Sequence, residues 1–167
     1  DVNYEDLTGT ELEQAETEMF RAAIAESLRV MMWIGDTTAS RHNKFDVFLT
    51  LACKYRDLGA MPKADFSTLT PSVENITDIF NDMWAKASPA LKALKAEGNL
   101  AYFVTSDLYE LYELYLDKMG CDNAYTDIVS GRRELSYHGI KIVDMGVSQY
   151  LPLNHTSCPT FCLLTDR

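Results

Sequence analysis

The chain has 167 residues, 47% of them hydrophobic, and a formal net charge of −10, which suits one domain with a core, or a core with an extension. That charge argues against a surface built to neutralise phosphates, although an acidic wall that faces packaged nucleic acid without gripping it stays compatible with it. No apolar run approaches the roughly 20 residues of a membrane span, and four cysteines, at positions 53, 121, 158 and 162, fall short of a secreted disulfide scaffold and favour a reducing compartment.

The first predicted element is a long helix. Thr10-Glu11-Leu12-Glu13 fits a capping box, and no Gly or Pro follows until after Ile34, giving about 24 residues or roughly 36 Å. Phe20, Ile24, Leu28 and Met31 form one apolar stripe, with Leu12, Met19, Val30 and Trp33 on an adjacent one. That width exceeds what one neighbour needs. Periodicity alone fits a core helix of a monomer and a helix packed on other chains equally well.

Gly35 ends this helix, and Asp36-Thr37-Thr38-Ala39-Ser40 is a polar turn. A shorter helix is expected over about Lys44–Arg56, with Phe45, Phe48, Leu49, Ala52 and Cys53 on its apolar side. Leu58–Pro71 carries two prolines and a glycine without a sustained period, so it reads as a connection. Ser72 is expected to cap a helix from Val73 to about Glu97, with Ile76, Ile79, Phe80, Met83, Trp84 and Ala87 at helical spacing. Pro89 removes a backbone donor inside it, which predicts a kink or two abutting helices.

Asn99–Gly120 is the centre of the pattern. Leu100, Tyr102, Phe103 and Val104 read as an inner, buried strand. Thr105-Ser106-Asp107 supplies the polar acceptors of a helix start, and Leu108, Leu111, Tyr112, Tyr115 and Met119 then share one helical face. Gly120 stands where a left-handed cap is expected. Cys121–Arg133 reads as a loop with a short turn, and Glu134–Tyr137 and Ile140–Asp144 as strands joined through His138-Gly139. Gly146–Ser157 reads as irregular and Thr160–Leu164 as a last strand. This order predicts an α+β fold, helices surrounding a small mixed sheet.

The chemistry-bearing groups are sparse. Asp36, His42 and Asp46 are residue types of a metal or general-base site, but they lack a recognised ligand spacing, and the turn after Gly35 accounts for Asp36. Cys158 and Cys162, with only His155 near, lack the paired spacing of a zinc site and read as buried thiols. The run FVTSD is of a kind found at strand ends in haloacid-dehalogenase-type phosphotransferases. That family needs an Asp-x-Asp pair on an earlier strand, whereas Asp78 and Asp82 stand four apart on a predicted helix. No phosphate-cradling glycine loop or Gly-x-Ser-x-Gly elbow is present. The tyrosines of 102–115 are interleaved with Asp107, Glu110 and Glu113, so they read as core or interface aromatics rather than a platform for bases. No catalytic, cofactor-binding or metal-binding residue is assigned.

Several stretches, in fixed order, resemble the major capsid proteins of tailed bacteriophages and prophages, the Hong Kong 97-type fold. A long helix ends in a Trp-Ile-Gly-Asp turn at Trp33–Asp36, in the manner of that family's spine helix. SVENITDIFNDMW precedes LAYFVTSDLYELYELYL, then AYTDIVSGRRELSYHGIKIVDMG (Ala124–Gly146) is similar to the family's strand pair, and PTFCLLTDR to a following strand. The resemblance covers most of Thr10–Arg167 and implies a structural subunit, with a peripheral part at 1–60 bearing the spine helix and an axial part at 61–167. It implies self-association into capsomers, location in a virion capsid made in the bacterial host cytoplasm, no sequence-specific nucleic-acid recognition and no membrane. Phe20, Met31 and Trp33 are the candidate subunit-interface residues on the spine helix.

Family members carry an N-terminal arm and an extended loop before that helix, for which Asp1–Gly9 is too short, so the chain reads as a trimmed core. As such it is expected to run as a monomer or weak oligomer, with no cofactor. The competing readings are a cytoplasmic metal-dependent phosphotransferase or hydrolase, and a non-viral adaptor domain.

Overall fold

A computed structural model describes residues 9–40, 44–66, 68–120, 125–127, 133–155 and 159–166. The backbone divides into two compact units, Asp1–Leu51 and Ala52–Arg167. In the first, helix α1 (Gly9–Ile34) is 26 residues long, as its unbroken run of helix formers predicts. It turns at Gly35, whose N–H donates to the Met31 carbonyl at 3.1 Å and whose carbonyl accepts from Val47 N–H at 3.2 Å and from the Thr50 hydroxyl at 2.8 Å. A side chain at Gly35 would place its Cβ 2.7 Å from the Met31 carbonyl oxygen and 2.8 Å from that of Phe45. Only glycine fits so close an approach.

Helix α2 (Phe48–Asp57) spans the division between the units. It starts four residues later than the expected Lys44, because Asp46 and Val47 are used in closing the Gly35 turn. Residues 58–66 and 68–72 form no regular element, as expected of the proline-bearing connection.

In the second unit, the helix expected from Val73 is instead α3 (Ile76–Lys86). Asn75, not Ser72, stands at its start, and the Asn75 carboxamide accepts from Ser72 N–H at 2.8 Å and donates to the Thr70 carbonyl at 3.0 Å. Those bonds, with Asn75 at φ −112°, hold 72–75 as a turn ahead of the helix. Pro89 splits the segment in two. Ser88 caps α4 (Pro89–Ala93) by accepting from Leu91 N–H at 3.2 Å, with the proline in the first turn where its missing donor costs nothing. A 3₁₀ turn over Leu94–Glu97 leads to Gly98.

Strand β1 (Leu100–Val104) runs directly into α5 (Ser106–Met119), which Gly120 closes at φ 64°. The sheet order is β2-β3-β4-β1-β5, with β2 (Tyr125–Asp127), β3 (Arg133–Tyr137), β4 (Ile140–Asp144) and β5 (Cys162–Asp166). β1 is therefore an inner strand, parallel to β4 and antiparallel to β5. His138 and Gly139, at φ 51° and 79°, make the two positive-φ positions of the β3–β4 hairpin turn. β2, paired antiparallel with β3, lies in a stretch that reads as loop. A four-residue helix, α6 (Leu151–Asn154), stands in the segment expected to be irregular. The fold is α+β on a mixed sheet.

Phe80 from α3 organises the core. Its ring centroid lies 5.1 Å from Tyr102 on β1, 5.3 Å from Tyr112 on α5 and 5.3 Å from Tyr137 on β3. The phenols are satisfied at the cluster's margin: Tyr112 donates to the Ser136 carbonyl at 2.9 Å and Tyr137 to Asn81 Oδ1 at 2.8 Å. Phe103, expected to be buried, is only partly so; along a strand alternate side chains face opposite ways, and Tyr102 takes the core position. No helix among the described residues is long and apolar enough to cross a membrane.

Candidate functional site

The principal candidate is the surface of α1. Of its described side chains only Val30 and Ile34, at the C-terminal end, are buried. Met19, Phe20, Ile24, Leu28 and Met32 are each more than half exposed, with Phe20 at 68%. The three expected interface residues divide. Phe20 is the most exposed apolar side chain of the helix; Met31 is half-buried; Trp33 is half-buried with its ring 5.4 Å from Phe48 on α2. Met31 and Trp33 thus do not present the exposed face expected of them, because the turn at Gly35 brings Phe48, the first residue of α2, against Trp33.

Asp36 and Asp46 act within that turn. Asp46 Oδ1 accepts from both the N–H and the hydroxyl of Thr37, each at 2.8 Å, and Asp36 Oδ1 accepts from the N–H and hydroxyl of Thr38 at 2.8 and 2.6 Å. These bonds use the carboxylates to close the loop. His42 lies outside the described residues, so the structure does not assemble the three as a group. Among the described residues no cluster of three metal-ligating side chains occurs.

A second concentration of polar groups sits where β1 and β4 end side by side. Asp144 Oδ1 accepts from the Ser106 hydroxyl at 2.9 Å and from Gly146 N–H at 2.8 Å, while Ser148 Oγ accepts from Ser106 N–H at 2.9 Å. Asp107 accepts from the Thr160 hydroxyl. Sequence spacing could not show this convergence, since Ser106 and Asp144 stand 38 residues apart and meet only because the strands pair in parallel. Thr105 occupies the N-cap position but makes no capping bond, contrary to expectation; its hydroxyl is buried without a partner. Every other named group is engaged in tying loop 145–150 and the start of β5 to α5. Asp78 lies within α3, and so does Asp82, paired with Lys86 at 2.8 Å. They are on a helix, as their spacing predicts.

A third feature lies at the α3–α4 corner. Lys92 and Lys95 both hold their ammonium groups over the Trp84 ring, 5.7 and 5.1 Å from its centroid. Lys92 also donates to the Ala85 carbonyl at 3.1 Å.

Cys53 and Cys162 are partly buried thiols in no disulfide among the described residues, and desolvation pushes the Cys162 thiol up to about 12, so it stays protonated near neutrality. Cys121 and Cys158 lie outside the described residues. Burial also raises the phenols of Tyr102 and Tyr137 above their ordinary value, as suits side chains inside an aromatic core.

No known protein family, no curated protein and no solved structure matches this chain.

Proposed function

We propose that this chain is a structural subunit of a tailed-phage or prophage capsid of the Hong Kong 97 type, working through surfaces that join copies of itself into capsomers around DNA. The observation that carries the reading is α1: five large apolar side chains lie more than half exposed between Met19 and Met32. A helix exposed for most of its length draws little stability from propensity alone, and covering side chains of this size contributes about 1.5–3 kcal/mol each when burial is complete. A second chain offers that cover.

Two further features support the reading. The strand-to-helix unit β1–α5, whose strand is an inner one of the sheet, falls in the stretch 61–167 that the resemblance assigns to the axial part. The carboxylates of Asp36 and Asp46 support the turn that follows α1, so their part is to hold the helix end in place for contacts. No catalytic role is assigned to any residue.

The test is to purify nuclease-resistant particles from cells that make the protein and identify their major polypeptide by mass spectrometry. Peptides of this chain are expected to dominate the shell band, with regular shells seen by electron microscopy. Particles whose shell is made of another protein, while this chain stays in the free-protein fraction, would overturn the proposal.

A further inference from the structure

The exposed part of α1 and the α4 corner carry unpaired charges of opposite sign in the same arrangement. On α1, Glu13 and Glu16 are exposed, stand three residues apart and make no ion pair among the described residues. They share a face with Phe20, within about 60° of arc at helical spacing. At the corner, Lys92 and Lys95 are also three residues apart, and both are held over Trp84 rather than by a carboxylate. Elsewhere in the second unit, Lys86 pairs with Asp82, Lys118 with Glu74 and Lys141 with Glu134.

Like charges at this spacing repel one another on each surface. In the free chain both repulsions persist. Trp84 partly offsets the second, because the ring face attracts cations and fixes where the two ammonium groups lie. Bringing Glu13 and Glu16 against Lys92 and Lys95 relieves both repulsions at once. Phe20, one turn beyond Glu16, is the adjoining apolar group that such a contact covers.

We propose that the acidic face of α1 from one copy docks on the Lys92–Lys95–Trp84 corner of a second copy. The inference rests on the reading that copies of this chain associate, and it names the two surfaces. Because the two patches differ, the contact is heterologous: each copy of a pair keeps one unused patch, so the contact repeats and closes into rings when the rotation allows. Complementary charge of this kind sets partner choice and encounter rate more than total affinity, and it weakens as salt screens it.

The experiment is a charge swap followed by sedimentation velocity over a range of protein and salt concentrations. Wild type should show concentration-dependent association that declines with salt. Lys92→Glu with Lys95→Glu, or Glu13→Lys with Glu16→Lys, should each weaken self-association about tenfold or more. Mixing these two variants should restore a complex, since the reversed helix of one fits the reversed corner of the other. Rescue on mixing also separates lost docking from lost folding, because two misfolded chains do not repair each other. Association of wild type that neither variant weakens would overturn this inference and leave the self-association reading standing. A wild-type chain that stays monomeric at every concentration would overturn this inference, while the capsid reading is decided by the particle experiment.

Discussion

Helices α1 and α5 carry apolar side chains at the same spacing and differ in what covers them. In α5, Leu108, Tyr112 and Leu116 are buried and belong to the core cluster with Phe80 and Tyr102. In α1, Phe20, Ile24 and Leu28 follow the same four-residue rhythm and stay exposed. The comparison separates two things that a hydrophobic pattern joins. Period 3.6 says that a helix has a face to cover; it does not say whether the cover comes from the same chain. α5 folds against its own sheet, and α1 leaves its face exposed.

The largest expected break in that comparison comes from removing one aromatic ring on each side. Phe80→Ala should cost about 3–5 kcal/mol in chemical denaturation, since it empties the centre of a four-ring cluster. Phe20→Ala should change stability by no more than about 0.5 kcal/mol while lowering self-association. If both substitutions cost the same, α1 is covered within its own chain and the contrast fails.

Next in size is Gly35→Ala. The added Cβ meets two carbonyl oxygens, at 2.7 and 2.8 Å, so the turn must open, at a cost of about 1–3 kcal/mol. The loss should appear in the emission of Trp33, read in a Trp84→Phe background, because Trp33 rests on Phe48 across that turn. Unchanged emission and stability would show that the close approach is not maintained in solution.

A smaller effect is expected from Asp36→Asn or Asp46→Asn. Each keeps an acceptor oxygen but removes the charge, so the loss should be about 0.5–1.5 kcal/mol, without change in metal content. Stoichiometric metal in wild type, lost in the double variant, would reverse the structural assignment of these carboxylates.

Near neutral pH the smallest effect belongs to the buried acids of the second unit. The Cys162 thiol is raised from 9.0 to about 12, and the Tyr102 phenol is raised from 10.0. In each case the folded chain holds its proton more tightly than the unfolded chain. Stability from these groups is therefore complete below about pH 9 and declines as the pH rises, first through the thiol and then through the phenol. Cys162→Ala should flatten the decline that starts near pH 9, and Tyr102→Phe the part that starts near pH 10. Identical alkaline melting curves for wild type and both variants would show that neither group titrates with folding.

Much of this was legible because local chemistry decided it. The Leu100–Val104 strand, the helix that follows, the glycine at position 120 and the break at Pro89 all rest on rules that act over a few residues. The early start expected for α3 failed on one side chain: Asn75 competes with the helix by bonding the Ser72 and Thr70 backbone. β2 was hidden because a three-residue strand has too little pattern to read, and it exists as a strand only by pairing with β3. Phe20, read as an interface residue, is exposed; the partial burial of Met31 and Trp33 was not anticipated, since it depends on Phe48 returning to the end of α1.

By itself, then, the sequence determined where most of the helices and strands form, several of their ends, and how wide the apolar face of α1 is, because these follow from steric preference, capping and period. Tertiary structure decided which faces are covered. That Tyr102 rather than Phe103 enters the core, that β4 lies parallel to β1, and that Ser106 meets Asp144 all depend on residues distant along the chain arriving side by side. Period-two alternation allows either face of β1 to be the inner one. Only the arrival of Phe80 on one side chooses between them.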